Sequence, residues 1–215
     1  MKKQDLSTLS QGVRGKTAAS QQRRQAIVGA AKTVFFEQGY QLASMDRIAA
    51  AAHTTKRTLY DHFGDKDALF AASVEQGCRG FVEQLPRSED LPPDTAVALR
   101  SFVKRMASLL NAPEAIRFVR MVIAEAERHP EFGRILNEAA FIAAEKVLQG
   151  YLERQIERGK LRPHEVSAWT PTLIGLVTNL EHTQALLGLT HSHRKGHSDE
   201  AQAEIIAMYV RTFSC

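Results

Sequence analysis

The chain has 215 residues and 44% apolar side chains, which suits one large or two small domains with a packed core. Its formal charge of +4 is unevenly spread: residues 1–75 carry 11 Lys and Arg against 7 Asp and Glu, whereas residues 76–215 carry 17 of each. This places any anionic partner at the N-terminal third. The two cysteines, Cys78 and Cys215, match no metal or redox spacing and are expected to be reduced, with one buried, as in a cytoplasmic protein. The polar N-terminus argues against a signal peptide. The most apolar segment, 172–189, is interrupted by Glu181 and His182, which argues against a membrane span.

Nearly every ordered stretch follows the helical period, so the expected fold class is all-α. Residues 1–20 read as a flexible basic arm. A first helix is expected from about Ser20 to Gln38, with Ile27, Ala31, Val34 and Phe35 on one face and Gly39 as its stop. Ser44 can cap a short second helix over about 45–52, and His53 fills the turn after it, where a left-handed backbone would favour Gly, though His tolerates it better than most residues. Thr55 then caps a third helix reaching Phe63. Asp65 caps a fourth, which carries Leu69, Phe70, Val74 and Phe81 and ends near Pro86. The stretch PRSEDLPPD, 86–94, reads as a polar, Pro-rich linker. Helices are expected after it near 95–111, 113–128, 131–158, 164–188 and 199–213, with Pro171 kinking or delaying the fourth of these.

The second and third helices have the pattern of a helix-turn-helix. The Ala49–Ala52 run suits close packing, Ile48 and Leu59 can meet in the seam, and Phe63 closes it. Lys56, Arg57, Thr58, Tyr60 and His62 then face outward or lie at the rim. Arg57 has the fork to pair with guanine O6 and N7, and Lys56 can reach the same edge or a phosphate. The Thr58 methyl suits a thymine, while Tyr60 and His62 suit phosphates. Lys66, at the start of the fourth helix, is placed to clamp the DNA backbone. Ser44 and Arg47, at the start of the second helix, and the cap Thr55 complete the DNA-facing set. For any one of these residues alone, a solvated surface role is the alternative.

The residues AAKTVFFEQGY and SMDRIAAAAHTTKRTLYDHFGDKDALF resemble the DNA-binding domain of the tetracycline-repressor (TetR) family over residues 21–81. The most specific piece is Thr58, Leu59, Tyr60, His62, Phe63, Lys66 and Leu69. The resemblance implies a homodimer that binds an inverted-repeat operator in double-stranded DNA, usually as a repressor released by a small ligand. Three positions depart from the family's pattern. His53 stands for the usual turn glycine, Thr54 for a buried aliphatic, and Arg57 for a small residue. The run MVIAEAERHPEFGRIL, 121–136, is similar to regulators with an AefR-like C-terminal domain.

Residues 95–215 are expected to bind ligand and to dimerise. No catalytic trio, phosphate loop or zinc spacing is visible, so neither an enzyme nor a cofactor is expected. Phe102, Met106, Leu109, Phe118, Met121, Val122, Phe141 and Trp169 are the bulky residues that would line an effector cavity, a filled core being the alternative. Arg117 and Arg120 lie near them, either for an acidic ligand or as solvated surface. Segment 172–189 is apolar on more than one face and so needs two partners. Leu173, Val177, Leu180 and Leu187, with Ile206 and Tyr209, are expected to meet a second subunit. The cluster of His191, His193 and His197 reads as an exposed loop, a metal site on these imidazoles being the alternative. Two other readings remain: a constitutive or architectural DNA-binding dimer without a ligand, and a helical ligand-binding or catalytic protein whose basic helix is incidental.

Overall fold

A computed structural model describes residues 6–176, 180–189 and 197–215. Helices account for its regular structure among those residues, apart from one antiparallel bridge between Leu161 and Ser214. The chain divides into two compact units, Met1–Gly77 and Cys78–Cys215. The division falls within a helix and not at the Pro-rich stretch that the composition singles out.

In the first unit, α1 spans Leu6–Leu42, so the backbone is already helical inside the stretch expected to be an arm; residues 1–5 lie outside those described. Gly39, at φ 75° and ψ 167°, interrupts the helix where the sequence placed its stop. Helices α2 (Met45–Ala51), α3 (Lys56–Phe63) and α4 (Lys66–Val82) follow, α4 running on past the division. One apolar stripe of α1, Ile27, Val28, Ala31, Val34 and Phe35, is buried with Met45, Ile48, Leu59, Phe63, Leu69, Phe70 and Val74. Aromatic edges tighten this core. Phe70 meets Phe35 with ring centroids 4.9 Å apart at 83°, and Tyr40 at 4.9 Å and 64°. The Asp65 carboxylate accepts from the Ala68 amide at 2.7 Å, the cap expected for α4.

The second unit holds α5 (Thr95–Leu110), α6 (Pro113–Glu125), α7 (Pro130–Leu136), α8 (Ala143–Glu157), α9 (Val166–Gly175), α10 (Leu180–Leu186) and α11 (His197–Phe213). The helix expected over 131–158 is interrupted by a π-helical segment, Asn137–Ile142. The one expected over 164–188 is two, with Pro171 accommodated inside α9 and residues 177–179 outside those described. The Leu176 carbonyl at the end of α9 accepts from Gln202 of α11 at 2.9 Å. The central core joins Leu99, Phe102, Val103 and Met106 of α5 to Leu148, Tyr151 and Leu152 of α8, and to Leu173, Ile174, Ile206 and Tyr209.

The Pro-rich stretch is not a free tether. Leu85 and Leu91 are buried in this core. The Tyr151 hydroxyl donates to the Pro92 carbonyl at 2.9 Å, and Arg154 Nη1 donates to Ser88 Oγ at 3.0 Å. At the other end of the unit, Arg162 closes the last turn of α11: its amide donates to the Phe213 carbonyl at 2.6 Å and its guanidinium to Thr212. His164 stacks on Phe213 at 3.8 Å and bonds the Tyr209 hydroxyl at 2.8 Å through Nε2, while Trp169 lies against both aromatic rings.

Helix α10 is held by polar contacts from two neighbours. Arg120 of α6 donates from Nε to the Leu186 carbonyl at 2.7 Å and from Nη2 to Ala185, and His182 pairs through Nδ1 with Asn111 Oδ1 at 3.1 Å. His182 is buried, and burial holds its pKa below the ordinary 6.5 because the charged ring would lose its water. As pH falls through 6.5, the unfolded chain takes up a proton that the folded chain resists, so stability drops until the folded ring also protonates. Urea unfolding at pH 7.5 and at 5.5 (about one unit either side of the ordinary value) should therefore show a lower midpoint in acid. The His182→Gln variant should show a smaller drop than the native chain.

Candidate nucleic-acid interface

The helix-turn-helix is built from caps. Ser44, at φ −117° and ψ 151°, starts α2, and its hydroxyl accepts from the Arg47 amide at 3.3 Å. The helix ends in a Schellman motif: the Thr54 amide donates to the Ala49 carbonyl at 2.9 Å and the His53 amide to Ala50 at 3.1 Å. This geometry requires a left-handed residue, and His53 supplies it at φ 50°, as its position in the turn predicts. Thr55 follows as the cap of α3. Its hydroxyl accepts from the Thr58 amide at 3.2 Å and lies 2.9 Å from the Thr58 hydroxyl.

Two turns of α3 are then oriented by burial. Leu59 and Phe63, four residues apart, face inward, and Ile48 of α2 is fully buried beside them. The opposite face carries Lys56, Arg57 and Tyr60, all exposed, with Thr58 and His62 half-buried at the rim. The Arg57 side chain is 91% accessible. The starts of α2 and α3 lie side by side, because Lys56 Nζ of α3 reaches Asp46 Oδ2 of α2 at 2.9 Å. Thr55, Lys56, Arg57 and Tyr60 are exposed on this helix and its cap, and Arg47 is exposed on α2 beside Asp46.

The acidic partners on this surface are absent from the sequence reading. A hydrogen bond and the charge of Asp46 push the Lys56 pKa up. Arg57 Nε lies 3.9 Å from Asp61 Oδ2 one turn along. With its amide oxygen turned toward α2, Gln38 of α1 accepts from Arg47 Nε at 2.9 Å and Nη2 at 3.1 Å. Arg24 of α1 lies over the Phe63 ring of α3 at 4.7 Å. Lys66, expected on a phosphate, is turned inward: its ammonium sits 4.3 Å over the Tyr40 ring and donates to the Gln41 carbonyl at 3.3 Å. Tyr40 in turn donates its hydroxyl to Asp67. Lys66 thus ties the end of α1 to the start of α4.

The expected effector residues do not form one group. Phe102 and Met106 are fully buried in the central core, with Leu109 and Phe141 packed against it. Phe118, Met121 and Val122 sit on α6, outside that cluster. Trp169 is part of the half-open aromatic group with Tyr209 and Phe213. Arg120 caps α10, and Arg117 pairs with Glu114 at 3.4 Å on the surface. Of the expected interface residues, Leu173, Ile206 and Tyr209 are buried in this chain's own core. Val177 and the side chain of Leu180 lie outside the described residues, and Leu187 is 71% exposed. The outward apolar residues of this region are Leu187, Leu189, Ile205 and Met208. His191 and His193, and the side chain of His197, lie outside the described residues, among which no group of metal-ligating side chains occurs.

The turn can be tested through its caps. Replacing His53 with Gly removes a left-handed cost of roughly 1 kcal/mol, partly offset by glycine's freer unfolded chain, so a gain of up to about 1 kcal/mol is expected. His53→Val should lose more than about 1 kcal/mol, because a branched Cβ fits that backbone badly. Thr55→Ala should cost about 1 kcal/mol. Urea unfolding monitored by circular dichroism measures all three.

Residues 27–73 match the family model of bacterial regulatory proteins, tetR family, and residues 97–215 match that of the AefR-like transcriptional repressor, C-terminal domain. An HTH-type transcriptional regulator of Mycobacterium tuberculosis is 25% identical over 133 residues, the match spanning 61% of each chain. The Escherichia coli HTH-type transcriptional regulator UidR is 28% identical over 156 residues, 72% of this chain and 77% of that one. Among solved structures, a TetR-family regulator from Mesorhizobium loti superposes with a TM-score of 0.76 at 22% identity, covering 91% of this chain and 98% of that one. The flavonoid-responsive regulator FrrA superposes with a TM-score of 0.72 at 26% identity, covering 90% of this chain and 97% of that one. The two family matches fall on the helix-turn-helix and on the helical bundle after it, and this chain belongs to the TetR family of DNA-binding transcriptional regulators, which are not enzymes.

Proposed function

We propose that the protein is a cytoplasmic, homodimeric, sequence-specific repressor that leaves an inverted-repeat operator when a small molecule binds its C-terminal domain. The observation that carries the reading is Arg57. It stands almost fully exposed on the face of α3 opposite Leu59 and Phe63, where it can enter the major groove and pair with a guanine. Ser44, Arg47, Thr55, Thr58, Tyr60 and His62 position that helix on phosphates and sugar edges, and Lys56 adds charge once it exchanges Asp46 for DNA. The repressor sense is supported by the AefR-like repressor domain matched over 97–215, and a small-molecule effector by the flavonoid-responsive neighbour.

The release mechanism is a population shift. A ligand that binds one state of the bundle more tightly favours the state in which two recognition helices no longer match successive turns of the operator. Helix α4 carries residues of both units and is the covalent route for that shift. A constitutive DNA-binding dimer is the competing reading, favoured by the complete burial of Phe102 and Met106. A ligand that lowers operator affinity excludes it.

With an operator selected from random DNA, Arg57→Ala should weaken operator binding by roughly 1–3 kcal/mol and leave affinity for random DNA nearly unchanged. Lys56→Ala should weaken both alike and flatten the salt dependence. Equal losses for both DNAs in the Arg57 variant would remove Arg57 as a reader. For the dimer, the supporting surface is that of Leu187, Ile205 and Met208. Met208→Glu with Leu187→Glu should convert sedimenting dimers to monomers while helicity is retained; unchanged dimers would place the contact elsewhere.

A further inference from the structure

Gln155 is a buried polar group whose side-chain amide finds no bonding partner among the described residues. It lies on the inward stripe of α8 that continues through Leu148, Tyr151 and Leu152, and it is only 1% exposed. Among the described residues, neither its amide nitrogen nor its amide oxygen has a hydrogen-bond partner. Its place is fixed by the end of the helix. The Gln155 carbonyl accepts from the Lys160 amide at 2.9 Å and from Leu161 at 3.2 Å, and Gly159 turns the chain at φ 66°. The Tyr151 hydroxyl, one turn earlier, is occupied by Pro92. The next polar neighbour in sequence, Arg154, directs Nη1 to Ser88, with its Nη2 also unpartnered.

A buried amide left without partners opposes folding, and native proteins keep such groups where something else completes them. Both of its edges are open, so the complement is a donor beside an acceptor. Leu148, Tyr151 and Leu152, which share its stripe, are uncharged, and the neighbouring Arg154 already directs Nη1 to Ser88, so an uncharged occupant is favoured over an ion. We infer that Gln155 is the polar anchor for the effector, and that this effector is a neutral, largely apolar molecule bearing an amide-like edge: a carboxamide, a lactam, or a hydroxyl next to a carbonyl. This rests on the ligand-responsive reading above and adds the ligand's chemical class and its selecting residue.

Three probes of matched shape test it on the full chain: benzamide, benzoate and ethylbenzene, followed by saturation-transfer NMR and thermal shift. Benzamide should bind best, and Gln155→Leu should weaken it by about tenfold or more while strengthening ethylbenzene. Gln155→Met, unbranched and close in volume, provides the same comparison if the leucine variant folds poorly. Benzoate binding best, equal benzamide affinity in variant and native chains, or a bound water alone on the amide would each overturn the anchor. The two readings fail separately. Gln155-dependent binding that never releases operator DNA sinks the release mechanism and keeps the anchor. Effector-driven release that persists in Gln155→Leu keeps the mechanism and sinks the anchor.

Discussion

Burial of Leu59 and Phe63 on one side of an eight-residue helix decides what its other side can do. A helix this short has little stability of its own, and its orientation is borrowed from the packing beneath it. Ile48 meets that packing from α2, and the left-handed His53 sets the angle at which the two helices enter it. Lys56, Arg57 and Tyr60 face solvent as a consequence.

The same surface already carries acidic neighbours for its cations. Lys56 is engaged with Asp46, and Arg57 lies near Asp61. Exposed pairs of this kind are weak, commonly below about 1 kcal/mol, so they exchange readily for phosphates or base edges. On the DNA-reading role proposed for α3, their effect is on selectivity more than on strength. A cation that must leave a carboxylate gains less from an arbitrary stretch of backbone than a free one does, and correct base contacts then weigh more in the total.

Much of this unit was readable from residue types, because its signals are local. Ser44, Thr55 and Asp65 act as caps where their chemistry predicts, and Gly39 and His53 take the backbone angles their positions demand. The contacts that Lys66 makes within the chain were not legible, because its partners, the Tyr40 ring and the Gln41 carbonyl, come from 25 or more residues away. The second unit hid more for a related reason. Periodicity reveals that a helix face is apolar but not what covers it, so Ile206 and Tyr209 looked available to a partner while packing inside their own chain. Proline and acidic residues made 86–94 look like a tether, yet Leu85 and Leu91 beside and within it are buried. Arg120 looked like a ligand or surface group because the carbonyls it closes are more than sixty residues downstream.

The single tryptophan has a practical consequence. Trp169 rests on Tyr209 and Phe213, at the corner where α11 is fastened by Arg162 and His164. Its indole is partly open to water, so its emission colour responds to small changes in how that corner closes. Any intrinsic fluorescence change excited at the red edge of the spectrum originates from this one point. The protein thus carries an optical label of its own, which reads the fastening of its last helix without chemical modification.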